Sequence, residues 1–193
     1  MVALTLNMKA AALALDDDQF YRLCQANRDL RLERTAKGNL LIMPPTGWET
    51  GNRNLKISQQ LANWADQDGS GLGFDSSTGF RLANGAVRSP DVAWVRRERI
   101  EHLNPAPDKF LPLCPDFVIE LRSASDSLST LQKKMEEYVA NGLQLGWLIN
   151  PQDKQVEIYY PDGEVSLLNR PDTLRGEAVL PDFILVITWL WTR

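Results

Sequence analysis

Two almost unbroken apolar runs, Phe117-Val118-Ile119-Glu120-Leu121 and Leu145-Gly146-Trp147-Leu148-Ile149-Asn150, flank an amphipathic stretch running from Ser125 to about Asn141. Runs that do not alternate are strands covered on both faces, and two such strands joined through a helix lie parallel with a right-handed crossover. Ser125 or Asp126 supplies the helix cap and Gly142 its end. This unit predicts an α/β (α+β) domain with a mixed central β-sheet flanked by helices.

Glu120 breaks the first run, and a bare carboxylate in such a strand costs several kcal/mol unless a cation or hydrogen-bond donor meets it. Side chains alternate along a strand, so Val118, Glu120 and Arg122 share one face. Asp91 opens a further strand to Val95 after Pro90, and that strand can bring a second carboxylate beside Glu120. At about 100° per residue, Leu128, Leu131, Met135, Tyr138, Val139 and Gly142 form the inner helix face. Lys134 borders this face and Lys133 points nearly opposite, so Lys134 can reach the carboxylates. The residues alone leave two readings open: an ion pair of Glu120 with Arg122, or a metal shared with Asp91. Two carboxylates and a backbone carbonyl suit Mg2+ or Mn2+, which take oxygen ligands.

The remaining chain reads in order. Asp16 to Asp18 cap a first helix ending near Asn27, and Leu30–Arg34 with Leu40–Met43 form a hairpin. Thr50 caps a longer helix with Ile57, Leu61, Trp64 and Ala65 on one face. Strand candidates at Gly73–Asp75, Gly79–Leu82 and Ala86–Arg88, the last two joined at Asn84-Gly85, extend an antiparallel sheet beside it. The charged segment Arg96–Asp108 reads as a surface loop or short helix, with His102 in a loop. A hairpin at Gln155–Leu168 and an apolar tail from Phe183 to Trp191 close the fold. At 193 residues one domain, 1–193, is expected.

Composition narrows the chemistry. A single histidine excludes two-histidine ribonuclease mechanisms and zinc sites built on several histidines, and leaves a serine–histidine triad only His102 to draw on. A net charge of -4 argues against holding nucleic acid by bulk charge, though a local basic face such as Arg96, Arg97 and Arg99 can contact phosphate. Cys24 and Cys114 are too far apart for a CxxC motif and read as free thiols. The lack of a long apolar run excludes a membrane span and, with no convincing signal peptide, a cytoplasmic location is expected. Trp48, among Pro45, Gly47 and Gly51, is a candidate exposed contact.

The ordered set SPDVAWV, PDFVIELRS, Lys134-x-x-x-Tyr138, NGLQLGWLINP and VEIYYPDG resembles the Uma-two family of restriction-endonuclease-like proteins, in the PD-(D/E)XK nuclease superfamily. The LERTAKGNLLIMPPTG hairpin and the VLPDF element extend the resemblance over nearly the whole chain. It implies a metal-dependent endonuclease acting on DNA, with Asp91, Glu120 and the Leu121 carbonyl as ligands to Mg2+ or Mn2+. It also implies catalytic roles for Lys134 and for Glu33, the latter as a second-metal or water-orienting group. Read from its neighbours Arg31 and Arg34 alone, Glu33 is a solvated cross-strand partner. The superfamily lysine two positions after the glutamate is here Arg122, which stays protonated and can hold phosphate or Glu120 but cannot act as a base. Lys134 then takes the lysine role. Arg122 and the acidic overall charge also motivate a second reading, a noncatalytic nucleic-acid- or protein-binding module on the same fold. A homodimer packed through the C-terminal tail is compatible with either.

Overall fold

The computed structural model describes residues 4–192. Strand β1 (Leu4–Leu6) and a short 3-10 turn lead to helix α1 (Asp17–Ala26). Asp16 caps α1, accepting from the Gln19 amide while the Gln19 side chain accepts from the Asp16 amide, the reciprocal pattern the acidic run predicts. Next come β2 (Arg31–Arg34), β3 (Leu40–Met43), α2 (Trp48–Asp68), β4 (Gly71–Asp75), β5 (Phe80–Arg81), β6 (Val87–Arg88), β7 (Val92–Arg96) and α3 (Arg97–Leu103). The second half carries β8 (Phe117–Leu121), α4 (Leu128–Ala140), β9 (Leu145–Asn150), β10 (Gln155–Tyr159), β11 (Val165–Asn169), β12 (Thr173–Arg175) and β13 (Ile184–Val186), and a final 3-10 turn.

The central sheet has the order β11-β10-β9-β8-β7-β4, and only β8 and β9, the pair joined by α4, are parallel. Residues 117–121 and 145–150 are buried throughout, as their unbroken apolar character requires. A second sheet runs β1-β3-β2-β6-β5, and β12 pairs with β13. The segment 71–88 therefore divides: β4 joins the central sheet as the antiparallel neighbour of β7, while β5 and β6 extend the β2–β3 hairpin. The expectation of one antiparallel sheet from these strands is corrected by that split.

Two apolar layers sandwich the central sheet. Val92, Trp94, Phe117, Ile119, Leu121 and Trp147 pack with Ile57 and Leu61 of α2 and with the C-terminal Phe183, Leu185, Ile187, Leu190 and Trp191. Ala93, Val95, Val118 and Leu148 pack on the other side with Met135 and Tyr138 of α4. Most apolar side chains of the C-terminal tail pack on the chain's own core, while Ile184 and Val186 are exposed. A Cβ at Gly146 would lie 2.5 Å from Met135 Cε and 2.8 Å from Leu143 Cδ2, so glycine there lets α4 settle on β9.

Two caps differ from expectation. Helix α2 starts at Trp48 after Gly47, ahead of Thr50, and has no side-chain cap. Helix α4 starts after Ser127, because the Asp126 carboxylate instead accepts from the Ser123 amide at 2.8 Å and closes the preceding turn. His102 lies in the last turn of α3, not in a loop. Among the described residues no helix is long and apolar enough to cross a membrane.

Candidate active site

The antiparallel register pairs Val92 with Ile119, and one further step places Asp91 opposite Glu120. Glu120 alternates with Ile119 and so points to the α4 side that Val118 also lines. Strand β7 begins at Val92, so Leu121 at the end of β8 has no strand partner on that side. Asp91 fills the gap by accepting from the Leu121 amide at 2.9 Å through Oδ2. Its Oδ1 accepts from Asn54 Nδ2 of α2 at 3.1 Å. The Arg122 amide bonds to β9 through the Ile149 carbonyl, so the Leu121 amide and carbonyl both face the Asp91 side.

Glu120 is 4% exposed, and its partners come from α4. Lys134 Nζ stands 2.8 Å from Glu120 Oε1, and the Tyr138 hydroxyl donates to the same oxygen at 3.1 Å. Lys134 and Tyr138 are one helical turn apart and so project onto the same patch of sheet. The ammonium also reaches Glu33 Oε1 of β2 at 3.0 Å, linking the two sheets. Glu33 is buried, and its other oxygen pairs with Arg88 NH1 at 3.0 Å while the Ser89 amide donates to Oε1 at 3.0 Å. Arg88 in turn binds Glu137 of α4 through Nε at 2.6 Å. The expectation that Glu33 is a solvated partner of Arg31 and Arg34 is therefore corrected: Arg34 turns to Asp17 and Arg31 to the Ser76 carbonyl.

Charge is unevenly distributed over this cluster. Burial raises the pKa of Glu120, and repulsion from Asp91 and Glu33 adds to it against the pull of Lys134, leaving Glu120 pushed up to about 7. Burial also raises Asp91 above the ordinary carboxylate range, against the Leu121 amide, Lys134, Arg31 and Asn54. Burial works against the charge of Glu33 too, but Lys134, Arg88 and the Ser89 amide outweigh it and its pKa is lowered. Lys134 is desolvated yet held protonated above its usual value by Glu120 and Glu33. Burial and the same two carboxylates raise Tyr138, which keeps its hydroxyl proton and stays a donor.

Arg122 does not meet Glu120. Its guanidinium binds Asp153 at 3.0 Å and Asn150 at 3.2 Å at the end of β9, so the ion-pair reading of Glu120 with Arg122 is corrected in favour of Lys134. Arg96 and Arg97 stand at the opposite end of β7 from Asp91, about 16 Å along the strand. Arg96 and Arg99 face Asp116 there, and Arg97 donates to the Gly69 carbonyl. Trp48 is 75% exposed at the start of α2. Cys24 and Cys114 are free thiols, and burial pushes Cys114 up to about 12, which leaves it a protonated core residue. A recess of about 820 Å³, lined in part by Asp17, Arg81, Arg99, His102 and Cys114, contains none of the clustered carboxylates.

Sequence reasoning missed Arg88, Asn54 and Glu137. Arg88 had a signal, a charged residue between Val87 and the Ser89-Pro90-Asp91 turn. Asn54 and Glu137 had none, since each lies on a helix flank where polar residues are unremarkable.

A family model described as "Putative restriction endonuclease", Uma2, matches residues 17–188. The chain belongs to the Uma2 family. Among solved structures, a protein described as a "putative nuclease belonging to DUF820" from Anabaena variabilis matches with a TM-score of 0.77 at 19% identity, over 92% of this chain and 97% of that one. At that identity the likeness shows the fold, which is that of a nuclease-like α/β protein. No curated protein matches the chain. The resemblance read from SPDVAWV and PDFVIELRS is thereby shown as family membership.

Among the described residues no three histidine, cysteine or carboxylate side chains converge as a ready-made metal cage. Asp91, Glu120 and the Leu121 carbonyl offer oxygen donors of the type a hard divalent cation takes. Both carboxyls are shifted upward chiefly by burial, which penalises their charged forms.

Proposed function

We propose that this Uma2 protein is a Mg2+- or Mn2+-dependent endonuclease acting on DNA, with Asp91, Glu120, Lys134 and Glu33 as its working residues. The observation that carries the reading is Asp91 bonded to the Leu121 amide, next to Glu120, whose carboxylate stands 2.8 Å from Lys134. In this reading Asp91, Glu120 and the Leu121 carbonyl hold the cation. When bound, it supplies Lewis-acid stabilisation of phosphate charge and lowers the pKa of a bound water. Lys134, kept protonated, orients the attacking water and donates to a phosphate oxygen rather than acting as a base. Glu33 fixes the ammonium from the second sheet, and Tyr138 orients Glu120. Arg122, Arg96 and Arg97 are assigned no phosphate contact: Arg122 is committed to Asp153 and Asn150, and the other two lie at the far end of β7. We further propose that residues 1–193 act as one domain, in the cytoplasm.

Incubation of the purified protein with plasmid DNA and Mn2+ tests this. Nicking or linearisation is expected, and it disappears in Glu120→Ala. No cleavage across metals and substrates, or equal cleavage by the variant, overturns the catalytic reading.

One observation favours a second reading, a noncatalytic nucleic-acid- or protein-binding module: Glu120 has an ion-pair partner of its own in Lys134. Calorimetric titration with Mn2+ separates the two, since a module of this kind shows no metal heat.

A further inference from the structure

Strand β11 ends the central sheet, and β10 is its one neighbour. Beyond its ends, the Tyr160 amide bonds to the Glu164 carbonyl and the Arg170 amide to the Lys154 carbonyl. The β10–β11 register pairs Val156 with Leu168 and Ile158 with Ser166, so the even-numbered residues of β11 bond inward. Val165, Leu167 and Asn169 then direct their amides and carbonyls outward, to an edge no other element of the described chain pairs with. Val165 and Leu167 are also 46% and 52% exposed. Natural edge strands are usually blunted by lysine, proline or a bulge, and residues 165–169 contain none of these.

The sequence of this edge is complementary to itself. Antiparallel pairing of two copies about Leu167 sets Leu167 against Leu167 and Val165 against Asn169. These are the residues whose backbone groups point outward, so every free amide meets a free carbonyl. The same register sets the exposed Glu164 of one copy against the exposed Arg170 of the other, once at each end. Neither side chain has an ion-pair partner within the described chain. A register shifted by one residue pairs outward groups with inward ones and loses both the hydrogen bonds and the charge match.

We propose that β11 is a self-association surface, through which two copies of this chain join their central sheets edge to edge about Leu167. The short strand and two apolar side chains bury less than a standard interface, which makes the dimer weak and concentration-dependent. Strand β11 lies three places from β8, about 14 Å across the sheet, so the contact is independent of any role for Glu120.

Sedimentation velocity on the full chain over a wide concentration range, with hydrogen exchange at the two extremes, tests the proposal. A reversible dimer is expected, with the Val165, Leu167 and Asn169 amides protected only at high concentration. Leu167→Lys abolishes the dimer, while an unchanged circular dichroism spectrum and melting curve show that the monomer folds. Glu164→Arg weakens it about tenfold by setting like charges opposite at both ends, and the double variant Glu164→Arg/Arg170→Glu restores it. A monomer at all concentrations overturns the proposal. So does a dimer that Leu167→Lys leaves intact, or a charge reversal that the double variant fails to rescue.

Discussion

Glu33 and Glu120 share one lysine and are both buried, yet they stand in opposite electrostatic conditions. Glu33 meets Lys134, Arg88 and the Ser89 amide, and its pKa is lowered. Glu120 meets Lys134 and Tyr138 but also faces Asp91, and it is pushed up to about 7. One carboxylate is saturated with donors and acts as an anchor between the sheets. The other has fewer donors and a second carboxylate near it, so the cost of its burial is not offset. Equal burial therefore does not mean equal electrostatics, because the charges and donors around each carboxylate differ.

Removing the anchor has the largest expected effect. Glu33→Gln leaves Arg88 and Lys134 without their common buried partner and lowers stability by about 3–5 kcal/mol, read by urea unfolding. Glu120→Gln in mildly alkaline buffer stays within about 1 kcal/mol of wild type, since it removes a carboxylate that burial already penalises. Equal losses from the two variants break the comparison.

The two carboxylates also predict opposite pH slopes. Glu120 is raised from 4.5 to about 7, so the stability it lends is complete below 4.5 and is lost as pH rises through about 7, a change of up to roughly 3 kcal/mol. Glu33 is lowered, so its contribution is present above 4.5 and is lost as pH falls through its folded value. Unfolding curves across this range show the Glu120 slope in wild type and its absence in Glu120→Gln. Saturating Mn2+ flattens the same slope, because a bound cation favours the ionised form.

Lys134→Met sharpens the contrast at intermediate size. Glu33 keeps Arg88 and Ser89, whereas Glu120 keeps only Tyr138, so the Glu120 transition moves further up in a carboxyl-resolved NMR titration while Glu33 stays ionised. The smallest effect is that of Tyr138→Phe, which removes one hydrogen bond to Glu120 and costs about 1 kcal/mol in the same unfolding assay.

Much of this arrangement is legible in the sequence. The unbroken runs at 117–121 and 145–150 and the helix between them define the parallel core, and the 100° rule separates Lys134 from Lys133. Asp91 opposite Glu120 follows from strand order once β7 is placed. What the sequence hides are contacts across sheets: Glu33 lies 101 residues from Lys134 and 55 from Arg88, and no local pattern reports such a meeting. Arg122 misleads for a related reason, since alternation gives its face but not the pull of Asp153 beyond the strand end. The assignment of 71–88 to two sheets is likewise a choice made by long-range partners.

The most direct test is a crystal of the protein soaked in Mn2+ and measured at the manganese absorption edge. One anomalous peak is expected between Asp91 and Glu120, within ligand distance of the Leu121 carbonyl, with Glu33 still bound to Arg88 and Lys134. A site without anomalous density and with the Lys134–Glu120 pair intact contradicts it.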